Sequence, residues 1–348
     1  MIKIGKIELP HRPLLLAPME DVSDPPFRHL CKKYGADMLY TEFISADGLI
    51  RDADKSMKKL DIFDDERPVG IQIFGGDEEA MVRSAAIVEE ARPEVLDINY
   101  GCPVKNVVCR NAGSGILRDI DKMVSLTAAI VKGTRLPVTV KTRLGWDDNS
   151  IRIVEVAERL QDVGIQAISI HCRTKHQMYT GHARWEWIEK VKNNPRLKIP
   201  VFGNGDINSP ERALDMFTKY GADGVMIGRA SIGHPFIFRE IKHYFETGTH
   251  PAPPTLAERL DACKTHLLRS IEWKGEKLGI LEMRRHYGPY FAGFPNVKQF
   301  RSRLVVSEQV SDIMTILEEL EAYYSLEENQ ISFNAPASGT FSYSGLDG

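Results

Sequence analysis

The sequence predicts a TIM-type (β/α)8 barrel followed by a small all-α helical domain. Three observations lead there. From Pro13 to about Phe238, short apolar runs rich in branched residues alternate with longer helical patterns, the arrangement of parallel strands joined by crossover helices. Eight such runs can be counted. A proline-rich segment, His250-Pro-Ala-Pro-Pro-Thr, then leads into a stretch whose apolar residues recur at helical spacing.

The runs are Leu14 to Leu16, Met38 to Thr41, Val69 to Phe74, Val95 to Asn99, Val138 to Lys141, Ala167 to His171, Val201 to Asn204 and Gly224 to Ile227. Several are almost continuously apolar, as strands covered on both faces should be. Intervening helices are expected over Glu78 to Glu90, Ile151 to Val163 and Pro210 to Tyr220. Alternation alone does not show closure, so a doubly wound open sheet is the structural alternative. Beyond the linker, Thr255 and Glu258 have the spacing of a capping box. Leu256, Leu260, Cys263, Leu267 and Ile271 form one helical stripe, and Val310, Ile313, Met314, Leu317 and Leu320 form another. The expected division is 1–245 for the barrel, 246–328 for the helical domain and 329–348 for a flexible, Ser/Gly/Asn-rich tail.

The 348 residues are 43% hydrophobic and 27% charged, and no run approaches the roughly 20 apolar residues of a membrane span. A soluble chain is expected. Its start, MIKIGKIELPHRP, has early charges and no apolar signal core, which points to the cytoplasm. The five cysteines, Cys31, Cys102, Cys109, Cys172 and Cys263, are scattered and unpaired in spacing, so they read as free thiols. His171, Cys172, His176 and His182 lack a zinc spacing, and no metal is expected. The net charge of -3 averages over patches. Between Met283 and Ser307 lie Arg284, Arg285, Lys298, Arg301 and Arg303, interleaved with Tyr287, Tyr290, Phe291 and Phe294 and without one acidic residue. This segregation suggests an RNA surface; a solvated basic face over an aromatic core is the plainer reading.

In such a barrel the active site is built at the C-terminal ends of the strands. The residues closing the runs are Met19, Gln72, Asn99 with Cys102, Lys141, His171, Asn204 and Gly228-Arg229. The loops Gly203-Asn204-Gly205-Asp206 and Gly228-Arg229-Ala230 follow strands seven and eight, where backbone N–H groups and the Arg229 fork can hold a phosphate. Nothing matches a P-loop or a strand-linked G-x-G-x-x-G. Cys102, in the loop after strand four, is a candidate general acid, and Cys109 competes for the role.

Taken together, Leu16-Ala-Pro-Met19, Asp24-Pro-Pro-Phe-Arg28, Asn99-Tyr-Gly-Cys-Pro103, Ala112-Gly-Ser-Gly115, Lys141-Thr-Arg143, His171-Cys-Arg-Thr174, Asn204-Gly-Asp206 and Gly228-Arg-Ala230 resemble the ordered motifs of the tRNA-dihydrouridine synthases. The resemblance spans nearly the whole barrel. It implies FMN, with Pro18, Met19, Glu20 and Gln72 near the isoalloxazine, Lys141 and His171 near its polar edge, and Asn204, Gly205, Asp206, Gly228 and Arg229 around the phosphate. It further implies Cys102 as proton donor, NADPH as reductant, and a D-loop uridine of tRNA as substrate. Asn99 and Arg173 would then meet the substrate, and Arg284, Arg285, Lys298, Arg301 and Arg303 the RNA backbone. Tyr100 departs from the Met or Phe often found there. Cys109 is outside the family motif. The chain is expected to act as a monomer. The alternative is a flavin enzyme acting on a free pyrimidine, of the dihydroorotate dehydrogenase kind, for which a basic helical domain has no evident use.

Overall fold

The computed structural model describes residues 1–327, so the segment read as a tail lies outside the described residues. The chain divides into two compact units, Met1–His250 and a second beginning at Pro251.

The first unit opens with an antiparallel hairpin, β1 (Ile2–Ile4) and β2 (Ile7–Leu9). The parallel strands follow as β3 (Leu14–Leu16), β4 (Leu39–Tyr40), β5 (Ile44–Ser45), β6 (Val69–Phe74), β7 (Val95–Tyr100), β8 (Val138–Arg143), β9 (Ala167–His171), β10 (Val201–Asn204) and β11 (Gly224–Ile227). Their order is β3-β11-β10-β9-β8-β7-β6-β4, with β5 also pairing β6. Between β3 and β4 the ring is joined by a parallel bridge, Leu15 to Met38, where Leu16 N donates to the Met38 carbonyl at 3.0 Å. The sheet is thus a barrel, and the open alternative does not hold. The short β4 is continued after a three-residue break by β5, so the run expected from Met38 to Thr41 supplies only part of that stave.

Burial explains the near-continuous apolar runs. Leu15, Met38, Tyr40, Val95, Ala167, Phe202 and Met226 fill the barrel interior together with Ile4 and Leu9 of the hairpin. The alternate residues pack outward; Leu14, Ile71, Ile98, Val140, Ile170 and Val225 belong to the larger core shared with the helices. Capping fixes the helix starts. Asp24 accepts from Phe27 N ahead of Pro25 and Pro26, and Asp77 accepts from Ala80 N, each satisfying a donor left over at a helix N-terminus. The helix expected over Glu78 to Glu90 has those bounds, and the other two are Ile153–Asp162 and Pro210–Thr218.

The second unit contains helices Leu256–Lys274, Glu276–Tyr290, Lys298–Val306 and Val310–Glu327. The Thr255–Glu258 capping box forms. A Cβ at Gly279 would stand 2.8 Å from Ile271 N, so only glycine lets the first two helices approach this closely. Leu260, Cys263 and Leu267 are buried, as are Ile313, Leu317 and Leu320. Among the described residues no helix is long and apolar enough to cross a membrane.

Candidate active site

The strand ends of the barrel bring together most of the expected site residues. After β3, Pro18 and Met19 are half-buried and Glu20 is exposed; Met19 N donates to Ser23 Oγ at 2.8 Å, which holds this turn. Glu20, Asp21 and Glu42 bring carboxylate oxygens within 4.8 Å of one another. The Lys59 ammonium pairs with two of them, 2.6 Å from Glu20 and 3.4 Å from Glu42. Glu42, raised to about 7 chiefly by burial, is a titrating group that the sequence did not single out.

On β7, Asn99 Oδ1 accepts from the backbone N–H groups of Gly101 and Cys102 at 2.8 and 2.9 Å. The Cys102 carbonyl accepts from Ser114 N at 3.0 Å and Ser114 Oγ at 2.8 Å. Gly113, at φ +53°, is needed because a Cβ there would stand 2.9 Å from the Cys102 carbonyl oxygen. The Ala112–Gly115 segment therefore braces the cysteine loop. The Cys102 thiol is raised by burial against a partial offset from Arg143 and Lys141. It holds its proton at neutral pH. Cys109, by contrast, is exposed.

Across the mouth the charge is reversed. Lys141 is lowered to about 8 by burial and by Arg143. His171 is held well below its usual value by burial and by Arg143, Lys141, Arg173 and Arg229, so its imidazole is neutral at pH 7. Arg143 is 2% exposed; its Nε donates to the Gly101 carbonyl, and its Nη1 reaches the carbonyls of Thr174 and Met178. This clamp was missed as a site feature, although Arg143 lies two residues after Lys141 and therefore on the same face of β8.

Arg173 Nη2 donates to both carboxylate oxygens of Asp206 at 2.8 Å, and Ala183 N donates to Asp206 Oδ2 at 2.7 Å. Although burial opposes it, these donors keep the Asp206 carboxyl below its usual range. Arg229 lies 3.6 Å from the same carboxylate and 5.1 Å from the Tyr179 ring. Arg173 Nη1 is buried with no hydrogen-bond partner. Gly205, at φ +114°, sits where a Cβ would be 3.0 Å from His171 Cδ2, and at Gly228 a Cβ would be 3.6 Å from Met19 Sδ. Asn204 is committed to the frame, its Nδ2 donating to the Met226 carbonyl at 2.7 Å.

The dihydrouridine synthase (Dus) family model matches residues 15–326. The chain belongs to the dihydrouridine synthase family. It is 36% identical over 334 residues to a probable tRNA-dihydrouridine synthase of Rickettsia conorii, covering 95% of this chain and 99% of that one. It is 40% identical over 304 residues to tRNA-dihydrouridine synthase B of Pseudomonas aeruginosa, covering 87% and 90%. Histamine dehydrogenase from a Rhizobium species superposes with a TM-score of 0.54 at 12% identity over 77% of this chain and 50% of that one, a likeness of fold. The family match runs through both units, so the helical unit is part of the family architecture.

In that helical unit, Lys298, Arg301 and Arg303 are exposed on one helix, and Arg284 and Arg285 are half-buried on the helix before it. Arg303 is ion-paired with Glu319. Tyr287, Tyr290 and Phe291 are fully buried and Phe294 nearly so. The aromatics are core, as the plainer sequence reading had it; Lys298, Arg301 and Arg303 stand outside it, whereas Arg284, with its Nε buried, and Arg285 lie partly within it.

Proposed function

We propose that this enzyme reduces the C5=C6 bond of a uridine in the tRNA D-loop, with FMN as resident cofactor, NADPH as reductant and Cys102 as proton donor. The observation that carries this reading is a buried, protonated thiol on a braced loop, opposite a cationic set. The residues fit a phosphate-bearing flavin. The Arg229 fork and the backbone N–H groups of the loops at Gly205 and Gly228 would hold the phosphate, with Arg229 meeting Asp206 only at 3.6 Å, and Gly205 and Gly228 leave room beside His171 and Met19. Pro18, Met19, Glu20 and Gln72 would flank the ring, and Lys141 and His171 its polar edge. Bound there, the flavin would supply hydride to C6 of the uracil.

The chain's own residues do the rest. Cys102 delivers a proton from Sγ to C5, and its raised thiol keeps that proton until it is needed. Lys141 and the neutral His171 are donors that can meet the uracil carbonyl oxygen as negative charge develops on it. Asn99 orients the cysteine loop, and Arg173 helps to hold the substrate side of the mouth. The barrel, 1–245 in the sequence reading, carries this chemistry, and the helical region 246–328 grips the RNA backbone through Arg284, Arg285, Lys298, Arg301 and Arg303. Its tRNA substrate supports a cytoplasmic enzyme.

The test is Cys102→Ala. NADPH oxidation and flavin binding should persist while uridine reduction slows on the order of 10²-fold. Full turnover in that variant, with loss in Cys109→Ala, would transfer the role to the other thiol. Activity on orotate without activity on tRNA would favour the free-pyrimidine alternative.

A further inference from the structure

Inside the barrel mouth runs a continuous chain of polar side chains across three strands. Gln72 of β6 is in register with Asp97 of β7, and Asp97 with Thr139 of β8. Thr139 Oγ1 donates to Asp97 Oδ1 at 2.5 Å, and Gln72 Nε2 donates to Asp97 Oδ2 at 2.6 Å. Asn99 Nδ2 donates to Gln72 Oε1 at 2.8 Å, and Asn99 Oδ1 accepts from the N–H groups of Gly101 and Cys102. All four side chains are buried.

The two ends of the chain determine its polarity. An ionised carboxylate only accepts hydrogen bonds, and a peptide N–H only donates. Burial raises the Asp97 carboxyl to about 6, while Gln72 and Thr139 each donate to one of its oxygens and, with the Lys141 charge, favour its ionised form. Gln72 must therefore turn its amide nitrogen to Asp97 and its oxygen to Asn99. Asn99 must in turn give its nitrogen to Gln72 and its oxygen to the cysteine loop. Reversing either amide would set donor against donor and leave buried groups unpaired.

We propose that Asp97 is a positioning residue for Cys102, locking the amides of Gln72 and Asn99 in the one orientation that holds the Gly101–Cys102 backbone. The proposal rests on the reading of Cys102 as proton donor.

The test compares Asp97→Leu with Asp97→Asn in a Cys109→Ser background, where Cys102 is the least buried of the remaining thiols, at 6% exposure against 0% for Cys31, Cys172 and Cys263. Leucine keeps the branched shape, with larger methyl groups in place of the oxygens, and removes the acceptor. Asparagine keeps an oxygen for Gln72, and its NH2 can face the Thr139 hydroxyl, which accepts as readily as it donates. Asp97→Leu should raise the iodoacetamide alkylation rate of Cys102 and lower kcat on tRNA, each on the order of tenfold, the worth of one buried hydrogen bond. KM should stay unchanged. Asp97→Asn should restore both. Parent-like behaviour of a folded Asp97→Leu overturns the proposal, as does Asp97→Asn behaving like Asp97→Leu, since charge and not acceptor geometry would then be acting. If Asp97→Leu does not fold, Gln72→Glu and Gln72→Glu/Asp97→Asn decide. Glutamate opposite Asp97 sets two carboxylates face to face, whereas opposite the amide introduced by Asp97→Asn it accepts from both sides. Rescue of Cys102 reactivity in the double variant supports the lock, and its absence overturns it. Failure of the proton-donor reading shows separately, as uridine reduction persisting in Cys102→Ala.

Discussion

Arg143 Nε donates to the carbonyl oxygen of Gly101 across 2.7 Å, and the same guanidinium reaches Thr174 O at 3.1 Å and Met178 O at 2.9 Å. One buried side chain thus ties the cysteine loop after β7 to the loop after β9. A lysine cannot make this three-carbonyl fork from one planar group. Arg143→Lys is therefore expected to lower turnover on the order of tenfold, as lost buried hydrogen bonds would. Because Arg143 is one of the charges drawing the Cys102 thiol down, uncharged Arg143→Met should raise it further. Alkylation rate against pH, measured on Cys102 in the Cys109→Ser background, reads that shift.

Arg229→Ala and Lys141→Ala are expected to weaken FMN retention. Arg229 meets Asp206 only at 3.6 Å, so its charge is incompletely spent within the protein. Titration of apoprotein with FMN measures both. Unchanged affinity in the two variants would move the phosphate away from the loops after β10 and β11.

Two buried groups carry stability expectations of different kinds. Arg28 makes a two-pronged pair with Glu66, 2.7 Å from Nε and 2.8 Å from Nη2, and both side chains are 1% exposed. Arg28 also donates to the carbonyls of Ser23 and Asp61. Arg28→Met leaves an uncompensated buried carboxylate and should cost about 3–5 kcal/mol in urea denaturation. In the helical unit, His286 is fully buried, and its ring lies 4.4 Å from that of His266. Burial, then His266, Arg285 and Lys274, hold it well below its ordinary 6.5. The unfolded chain therefore binds a proton that the folded unit refuses. Stability from this group is complete above about pH 6.5 and falls as the pH drops below it. Melts of His286→Leu at pH 5.5 and 7.5 should differ less than those of the parent.

What was legible in the sequence follows the range of the interactions. Strands such as Val69–Phe74 and helices such as Glu78–Glu90 are set by local pattern and caps, and they stand where the runs indicated. The strand-end residues were found because a barrel presents its strand ends on one face. Arg143 was not, because its carbonyl partners lie 31 to 42 residues away in sequence. The Asp97–Gln72–Asn99 chain was hidden for the same reason, as its polarity depends on register between strands. Tyr287, Tyr290 and Phe291 are a different case. Their spacing from Met283, at four, seven and eight residues, already marks one helical face, and a face of that kind belongs to a core before it belongs to RNA.

That core placement sharpens what the basic residues should do. Lys298 and Arg301 are three apart on an exposed helical face, and the Arg301 stem passes Gly288 on the preceding helix, where a Cβ would stand 3.5 Å from Cδ. Arg303 instead holds the carboxylate of Glu319, which it must exchange for a phosphate. The Lys298→Ala/Arg301→Ala variant should therefore lose tRNA affinity and flatten its salt dependence by roughly one unit of slope per lost contact. Arg303→Ala should lose less, and Glu319→Gln should strengthen binding by freeing Arg303. NADPH oxidation should persist in all of them, since all four residues lie in the helical unit and none is assigned to the flavin chemistry. Filter binding of tRNA across a salt series reads these effects. Equal losses for Arg301→Ala and Arg303→Ala would remove Glu319 from the explanation. An unchanged slope in the double variant would make this face a solvated surface and leave the grip on RNA to the barrel rim.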